Sequence, residues 1–166
     1  ADGWLGTSFI PEAAEVFTSH LRAGATAAGR SLSDLDLQIN ATIEVSDDVE
    51  GLIAKYRPRA AFTLGAMGSA QTNFYNAAYS RAGYEEMAKE SQALWVAGRK
   101  EEAAAVITDD FILKTVMIGT EEMVAERIRL CANAGVTTLR LTPTGKTRDD
   151  QIHNLEMLTD IIRRVS

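Results

Sequence analysis

Between Thr115 and Pro143 the chain carries a complete set of local folding instructions. Thr115-Val116-Met117-Ile118 is a short apolar run suited to an extended piece. Thr120 follows Gly119 and precedes Glu121 and Glu122, a hydroxyl cap with acids at the positive end of a helix. Val124, Ile128 and Cys131 recur at helical spacing and mark a buried face. Gly135 sits where a helix C′ glycine belongs, and Val136 to Thr142 reads as a strand stopped by Pro143. A helix joining two extended segments implies parallel pairing through a right-handed crossover. That restricts the fold class to α/β.

The rest of the chain repeats the alternation and interrupts it once. Asp2 to Gly6 reads as a strand, and Gly6-Thr7-Ser8 turns the chain. Pro11, Glu12 and Glu15 suit the first turn of a helix whose apolar positions are Ala13, Phe17, Leu21 and Ala25, ended by Gly29. Leu37 to Val45 alternates, carrying Ile39, Ile43 and Val45, and reads as a second strand, and Ser46 or Asp47 caps the next helix. Residues 49–114 differ in character, rich in Ala, Met and aromatics with helical periodicity. Helices are predicted at roughly 48–63, 71–82, 84–97 and 100–107, with a turn near 109–114. A last helix opens at Asp149 and turns Ile152, Leu155, Leu158, Ile162 and Val165 inward. The strands 37–45 and 136–142 look apolar enough to be covered on both faces. Three strands of this kind do not close a sheet, which points to part of a barrel of roughly 250 residues or more. The whole chain, 1–166, is therefore read as a single partial-barrel domain holding a helical insertion at 49–114. It opens on Ala1-Asp2-Gly3-Trp4-Leu5, a strand already under way, and is read as a fragment.

Composition excludes several function classes. The formal charge is −6, with 23 acids against 17 bases, and no basic run interleaves with aromatics, so no nucleic-acid partner is expected. No apolar stretch approaches the roughly 18 residues of a membrane span. The lone Cys131 cannot form an internal disulfide, which fits a reducing, cytoplasmic setting, and its place on the apolar helix face makes it a core residue.

Motifs for common chemistries are missing. There is no phosphate-binding Gly-x-x-x-x-Gly-Lys-[Ser/Thr] loop and no Gly-x-Gly-x-x-Gly opening a helix. Gly65-Ala66-Met67-Gly68-Ser69-Ala70 lacks those spacings and reads as a turn between helices. His20 and His153 lie on separate helices, and no metal-ligand set is expected. The acidic pairs Asp47-Asp48, Asp109-Asp110, Glu121-Glu122 and Asp149-Asp150 fall at helix starts, where dipole complementation explains them. Position is then the remaining guide, because β/α barrels do their chemistry at the C-terminal ends of strands. Those ends supply Thr7, Ser8 and Thr142 as candidates for binding a polar substrate group. The cluster Gln71-Thr72-Asn73-Phe74-Tyr75-Asn76-Ala77-Ala78-Tyr79 adds Asn73 and Tyr75, as a pocket wall or as polar anchors of a packed helix. No catalytic or cofactor-binding residue can be assigned.

The ordered segments resemble one enzyme family. Ala1-Asp2-Gly3-Trp4-Leu5-Gly6-Thr7-Ser8-Phe9 is similar to the sixth-strand segment of luciferase-like flavin and deazaflavin oxidoreductases. Gly65-Ala66-Met67-Gly68, Asn73-Phe74-Tyr75-Asn76 and Arg81-Ala82-Gly83-Tyr84-Glu85 resemble the branch that uses the deazaflavin coenzyme F420. Ala97 to Ala103 and Gly119 to Arg127 are similar to later segments of that branch. The resemblance implies a (β/α)8 TIM barrel of which this chain holds strands six to eight, with the helical insertion between seven and eight. It implies hydride transfer between coenzyme F420 and a small organic substrate, with a flavin mononucleotide (FMN) monooxygenase of the same superfamily as the alternative. A non-catalytic α/β interaction module is the rival from another class. In the family much of the cofactor machinery lies on earlier strands, so the isolated chain is expected to be inactive and to bind no cofactor. Its expected partners are the N-terminal half of the same barrel, a small-molecule substrate and further copies in a homo-oligomer. By the same resemblance Thr7 and Ser8 line the substrate side and Asn73 to Asn76 lie near the mouth. Phe9-Ile10-Pro11-Glu12 stands where a sugar-phosphate dehydrogenase would offer a Lys, which disfavours a sugar phosphate.

Overall fold

The computed structural model describes residues 1–69, 72–142, 144–145 and 147–165. Ala70, Gln71, Pro143, Lys146 and Ser166 lie outside the described residues; among them are the predicted helix start at 71 and the proline expected to stop the last strand. The elements run β1 (Gly3–Gly6), α1 (Glu15–Ala27), β2 (Asp36–Val45), α2 (Val49–Ala66), α3 (Phe74–Tyr79), α4 (Glu85–Val96), α5 (Lys100–Ala105), α6 (Asp109–Thr115), β3 (Met117–Gly119), α7 (Glu121–Asn133), β4 (Thr138–Thr142) and α8 (Arg148–Val165). The chain divides into two compact units, residues 1–49 with 116–166, and residues 50–115.

The first unit is an all-parallel sheet organised on β2. Gly3 to Gly6 of β1 run beside Asp36 to Ile39, and Thr138 to Thr142 of β4 beside Gln38 to Thr42. Met117 to Gly119 pair with Ile43 to Val45, so the short apolar piece is a true fourth strand. Sequence reading counted three because three residues are too few to show a period. The odd positions of β2 point into the core: Ile39, Ala41 and Ile43 pack with Phe9, Met117, Val124, Ala125, Ile128, Cys131, Leu158 and Ile161. Cys131 is 2% exposed, as its place on the apolar face of α7 requires, and burial pushes its thiol up to about 11.

The even positions of β2 are polar, against the expectation of a strand apolar on both faces. Gln38, Asn40, Thr42 and Glu44 alternate with the buried set, and Asn40 is exposed. Beside them Thr138, Arg140 and Thr142 of β4 occupy matching register positions. The strand contains many apolar residues, but they fall on one side of the pleat. Helices therefore cover one face of the sheet, and the other bears a polar ladder.

Local signals explain the element boundaries. Thr120 Oγ1 accepts from the Met123 amide at 3.4 Å and caps α7, and Gly135 takes φ 92° after its end. Val136 N then returns to Cys131 O at 3.0 Å, a bond that only a left-handed residue at Gly135 permits in so short a turn. Pro11 lies in a 3-10 turn at Pro11–Ala13 ahead of α1 rather than in the α-helix itself. The turn predicted near 109–114 is the helix α6, and the predicted helix 71–82 is the shorter α3 followed by a π turn at Ser80–Tyr84.

The second unit, α2 to α6, has buried Leu64, Ile107, Phe111 and Ile112. Tyr79 and Tyr84 meet Phe111 edge-on with ring centroids at 4.8 and 5.1 Å. Ser91 Oγ donates to Ala103 O at 2.9 Å, joining α4 to α5.

Candidate binding site at the C-terminal ends of the strands

The two ends of the sheet are built differently. At the N-terminal end every polar side chain is engaged. Thr137 and Thr138 donate to Asp36 Oδ1, the latter at 3.0 Å, and Gln38 Nε2 donates to Asp36 Oδ2 at 2.5 Å. The Leu37 amide donates to Thr137 Oγ1 at 2.9 Å. Hydrogen bonds from Thr137, then Gln38 and Thr138, hold the Asp36 carboxyl below its ordinary value. This end is stitched together by its own side chains.

The C-terminal half is open. The side chains of Thr7, Asn40, Thr42, Arg140 and Thr142 take no hydrogen bond or ion pair among the described residues. Ser8 Oγ is buried with no partner among the described residues, and Ser8 is the one non-glycine described residue at positive φ, 57°. A left-handed serine is uncommon and costs about 1–3 kcal/mol, so the surrounding packing must hold it there. That packing is visible. The Trp4 ring lies over Gly6 so closely that a Cβ there would come within 2.3 Å of it. Trp4 also meets Phe17 at 5.3 Å and Phe9 at 6.0 Å, while Phe9 and Ile10 are buried. The Thr7-Ser8 turn is thus flanked by packed residues, Gly6 under the Trp4 ring on one side and buried Phe9 and Ile10 on the other.

The candidates fall into two groups. Thr7 and Ser8 leave β1 on one side of β2, and Thr142 ends β4 on the other, level with Thr42. Asn73 and Tyr75 belong to the helical unit. The Asn73 amide donates to Leu64 O at 2.7 Å and Thr63 O at 3.2 Å, and its Oδ1 accepts from the Asn76 amide at 3.0 Å. Those bonds satisfy carbonyls left over at the end of α2 and cap α3, so Asn73 acts as a polar anchor. Tyr75 is half-buried against Phe74, centroids 5.7 Å apart. Sequence reasoning passed over Asn40, Thr42, Glu44 and Arg140. The signal that could have found them was the even-numbered phase of β2 extended across the register to β4.

The unengaged set offers neutral donors and acceptors and one cation, while Glu44 on the same face has an interaction of its own. It suits a polar organic ligand. Among the described residues no three His, Cys, Asp or Glu side chains gather in a way that could hold a metal. The turn into α8 is closed on itself, since Asp150 N donates to Thr147 Oγ1 at 3.1 Å and Thr147 N to Asp150 Oδ2 at 2.9 Å. Asn154 Nδ2 holds Thr144 O at 2.7 Å. A groove of about 540 Å³ lined by Glu121, His153, Glu156, Met157, Asp160 and Arg164 lies along α8, and the Arg164–Glu121 ion pair at 2.7 Å occupies part of it.

A parallel sheet with helices on one face corresponds to part of a β/α barrel. The chain belongs to the luciferase-like monooxygenase family, whose sequence model matches residues 1–138. It is 32% identical over 143 residues to a protein of Mycobacterium tuberculosis strain H37Rv whose name assigns it provisionally to the coenzyme F420-dependent oxidoreductases. That match covers 85% of this chain and 41% of the relative. The fold matches the coenzyme F420-dependent tetrahydromethanopterin reductase from Methanopyrus kandleri with a TM-score of 0.73 at 22% identity, over 100% of this chain and 46% of that one. It matches an F420-dependent secondary alcohol dehydrogenase, solved with an F420–acetone adduct, with a TM-score of 0.66 at 17% identity, over 100% and 43%. The chain therefore spans less than half the length of these proteins, and its α/β fold corresponds to part of their barrels.

Proposed function

We propose that the protein carrying this chain is an F420-dependent oxidoreductase, moving hydride between the deazaflavin and a small organic substrate, and that this chain supplies barrel strands six to eight with a helical insertion at 49–114. The observation that carries the reading is the division of the sheet: Asp36, Gln38, Thr137 and Thr138 bond one another at the N-terminal end, while Thr7, Thr42 and Thr142 have no side-chain partner among the described residues towards the C-terminal end, where β/α enzymes bind substrate. The 32% identity to a member of the F420 group supports the choice of coenzyme.

When bound, the deazaflavin supplies the hydride chemistry, and the protein supplies binding and orientation. In this chain Thr7, Ser8 and Thr142 would contact the substrate. Ser8 is held in a strained conformation with its hydroxyl unsatisfied, which places a fixed hydrogen-bonding group before any ligand arrives. Of the other two candidates, both in the helical unit, Asn73 spends its amide on backbone carbonyls, whereas Tyr75 packs only against Phe74 among the ring contacts of the described residues. The open face is completed by the N-terminal half of the barrel, and the finished protein is a homo-oligomer. Alone, the 166 residues bind coenzyme poorly and are inactive.

Titration of the whole protein with F420 and with FMN, followed by cofactor fluorescence, tests the assignment. Saturable binding of F420 and its reduction or oxidation by a substrate are expected. Tight binding of FMN alone would make the protein an FMN monooxygenase of the same family.

A further inference from the structure

Arg140 is out of place in a strand of this kind. It sits in the middle of β4, in register with Asn40, on the face that the helices do not cover. It is exposed and has no hydrogen bond or ion pair among the described residues, in a chain whose formal charge is −6. Interior positions of β/α barrels are usually filled by branched apolar residues. A cation there is costly to enclose unless an anion meets it.

The surroundings indicate which anion. Arg140 lies two residues below Thr142, about 6–7 Å along the strand, a distance an extended arginine side chain spans. Its guanidinium can therefore rise to the level of Thr42 and Thr142. Asn40, Thr42 and Thr142 are unengaged neutral groups on the same face. By contrast, the N-terminal part of the ladder uses Asp36 to engage Gln38, Thr137 and Thr138, and sends nothing to Arg140. A planar fork of donors flanked by hydroxyls matches a carboxylate or a phosphate oxygen set.

We infer that Arg140 is the anchor for an anionic group of the substrate, with Thr42 and Thr142 as its neutral partners. The substrate class is then a small organic acid, or a phosphate ester other than a sugar phosphate, bearing its reactive carbon above the anchor. This rests on the proposed oxidoreductase reading for the substrate's role, but the anchor itself is measurable without coenzyme.

The test is calorimetry on the whole protein, with and without F420, using acetate, inorganic phosphate and neutral acetamide. Acetate or phosphate should bind saturably and acetamide should not; which of the two binds separates a carboxylate from a phosphate substrate. R140Q should weaken binding about ten- to hundred-fold, as loss of a charged hydrogen-bonding partner does, and R140K should retain part of it. Anion binding unchanged in R140Q, or acetamide binding as well as acetate, would overturn the assignment. So would a large fall in stability of R140Q with no anion binding in the parent, which would make Arg140 half of a structural ion pair across the barrel. Anion binding in coenzyme-free protein that never binds F420 would sink the oxidoreductase reading while leaving the anchor standing.

Discussion

Replacing Gly6 by Ala separates two physical effects of opposite sign. Within a strand, Gly→Ala reduces the entropy of the unfolded chain and should stabilise by about 0.4–1 kcal/mol. Here the added Cβ would fall 2.3–2.8 Å from three atoms of the Trp4 ring. The ring cannot retreat freely, since Phe17 and Phe9 hold it at 5.3 and 6.0 Å. Overpacking of this kind costs about 1–3 kcal/mol, so G6A should be destabilising by about 1–2 kcal/mol net. The assay is urea unfolding followed by far-UV circular dichroism, where 2 kcal/mol at a slope of about 2 kcal/mol/M moves the midpoint by about 1 M. A double-mutant cycle with Trp4→Leu supplies the control. W4L alone loses two aromatic pairs worth about 0.5–1.5 kcal/mol each beyond the area they bury. In the W4L background the new methyl enters vacated space, and G6A should become neutral or stabilising. Effects that add within about 0.5 kcal/mol, or a G6A protein as stable as its parent, would refute the packing of Trp4 over Gly6 beside the Thr7-Ser8 turn.

Three other tests address separate links. Thr120→Ala removes the cap of α7 and should cost about 1 kcal/mol in the same urea assay, with Thr120→Ser close to the parent. Asp36 titrates below its ordinary value because Thr137, Gln38 and Thr138 hydrogen-bond the charged form. A depressed carboxyl contributes stability that is present above its unfolded pKa of about 3.9 and is lost as pH falls through the folded value. Carbon-detected NMR titration should therefore place Asp36 below its unfolded value, and Thr137→Val should raise it; an Asp36 that titrates normally in the parent would contradict the ladder. With its thiol at about 11 and its side chain buried, Cys131 should resist a thiol reagent at pH 8 in the native protein and react fully in denaturant. Rapid native labelling would mean that α7 does not pack as described.

The folding instructions that proved legible are those that act over a few residues. Thr120 and Gly135 bound α7 because a cap hydroxyl and a left-handed glycine solve problems local to a helix end. Cys131 is buried because three apolar residues share its helix face. The parallel sheet follows from the alternation of strand and helix. Less was legible where the outcome depends on distant partners. Met117–Gly119 is a strand because Ile43–Val45 lies beside it, a pairing across more than 70 positions that three residues cannot announce. The end of α3 is set partly by Tyr79 and Tyr84 closing on Phe111, again a contact between segments far apart in sequence.

The candidate site was half legible for a related reason. Strand ends can be read as sites from the fold class alone, which singles out Thr7, Ser8 and Thr142. The polar ladder required the phase of the pleat as well. The alternation of Leu37, Ile39, Ala41, Ile43 and Val45 is legible in the sequence, but the residues between them become a site only when they are taken as a set of their own. Once they are, the register places Asn40 beside Arg140 and Thr42 beside Thr142, and the two halves of the ladder separate by what they do. Asp36 consumes the donors near it and ties β2 to the start of β4, where strain or exposure would weaken the sheet. At the next level Asn40, Thr42, Arg140 and Thr142 have no side-chain partner among the described residues. Leaving polar groups unengaged costs little while water reaches them and much once the face is closed. A closed barrel therefore retains such groups where a ligand or an opposing side chain completes them, and that requirement makes Arg140 the most informative single position in the sheet.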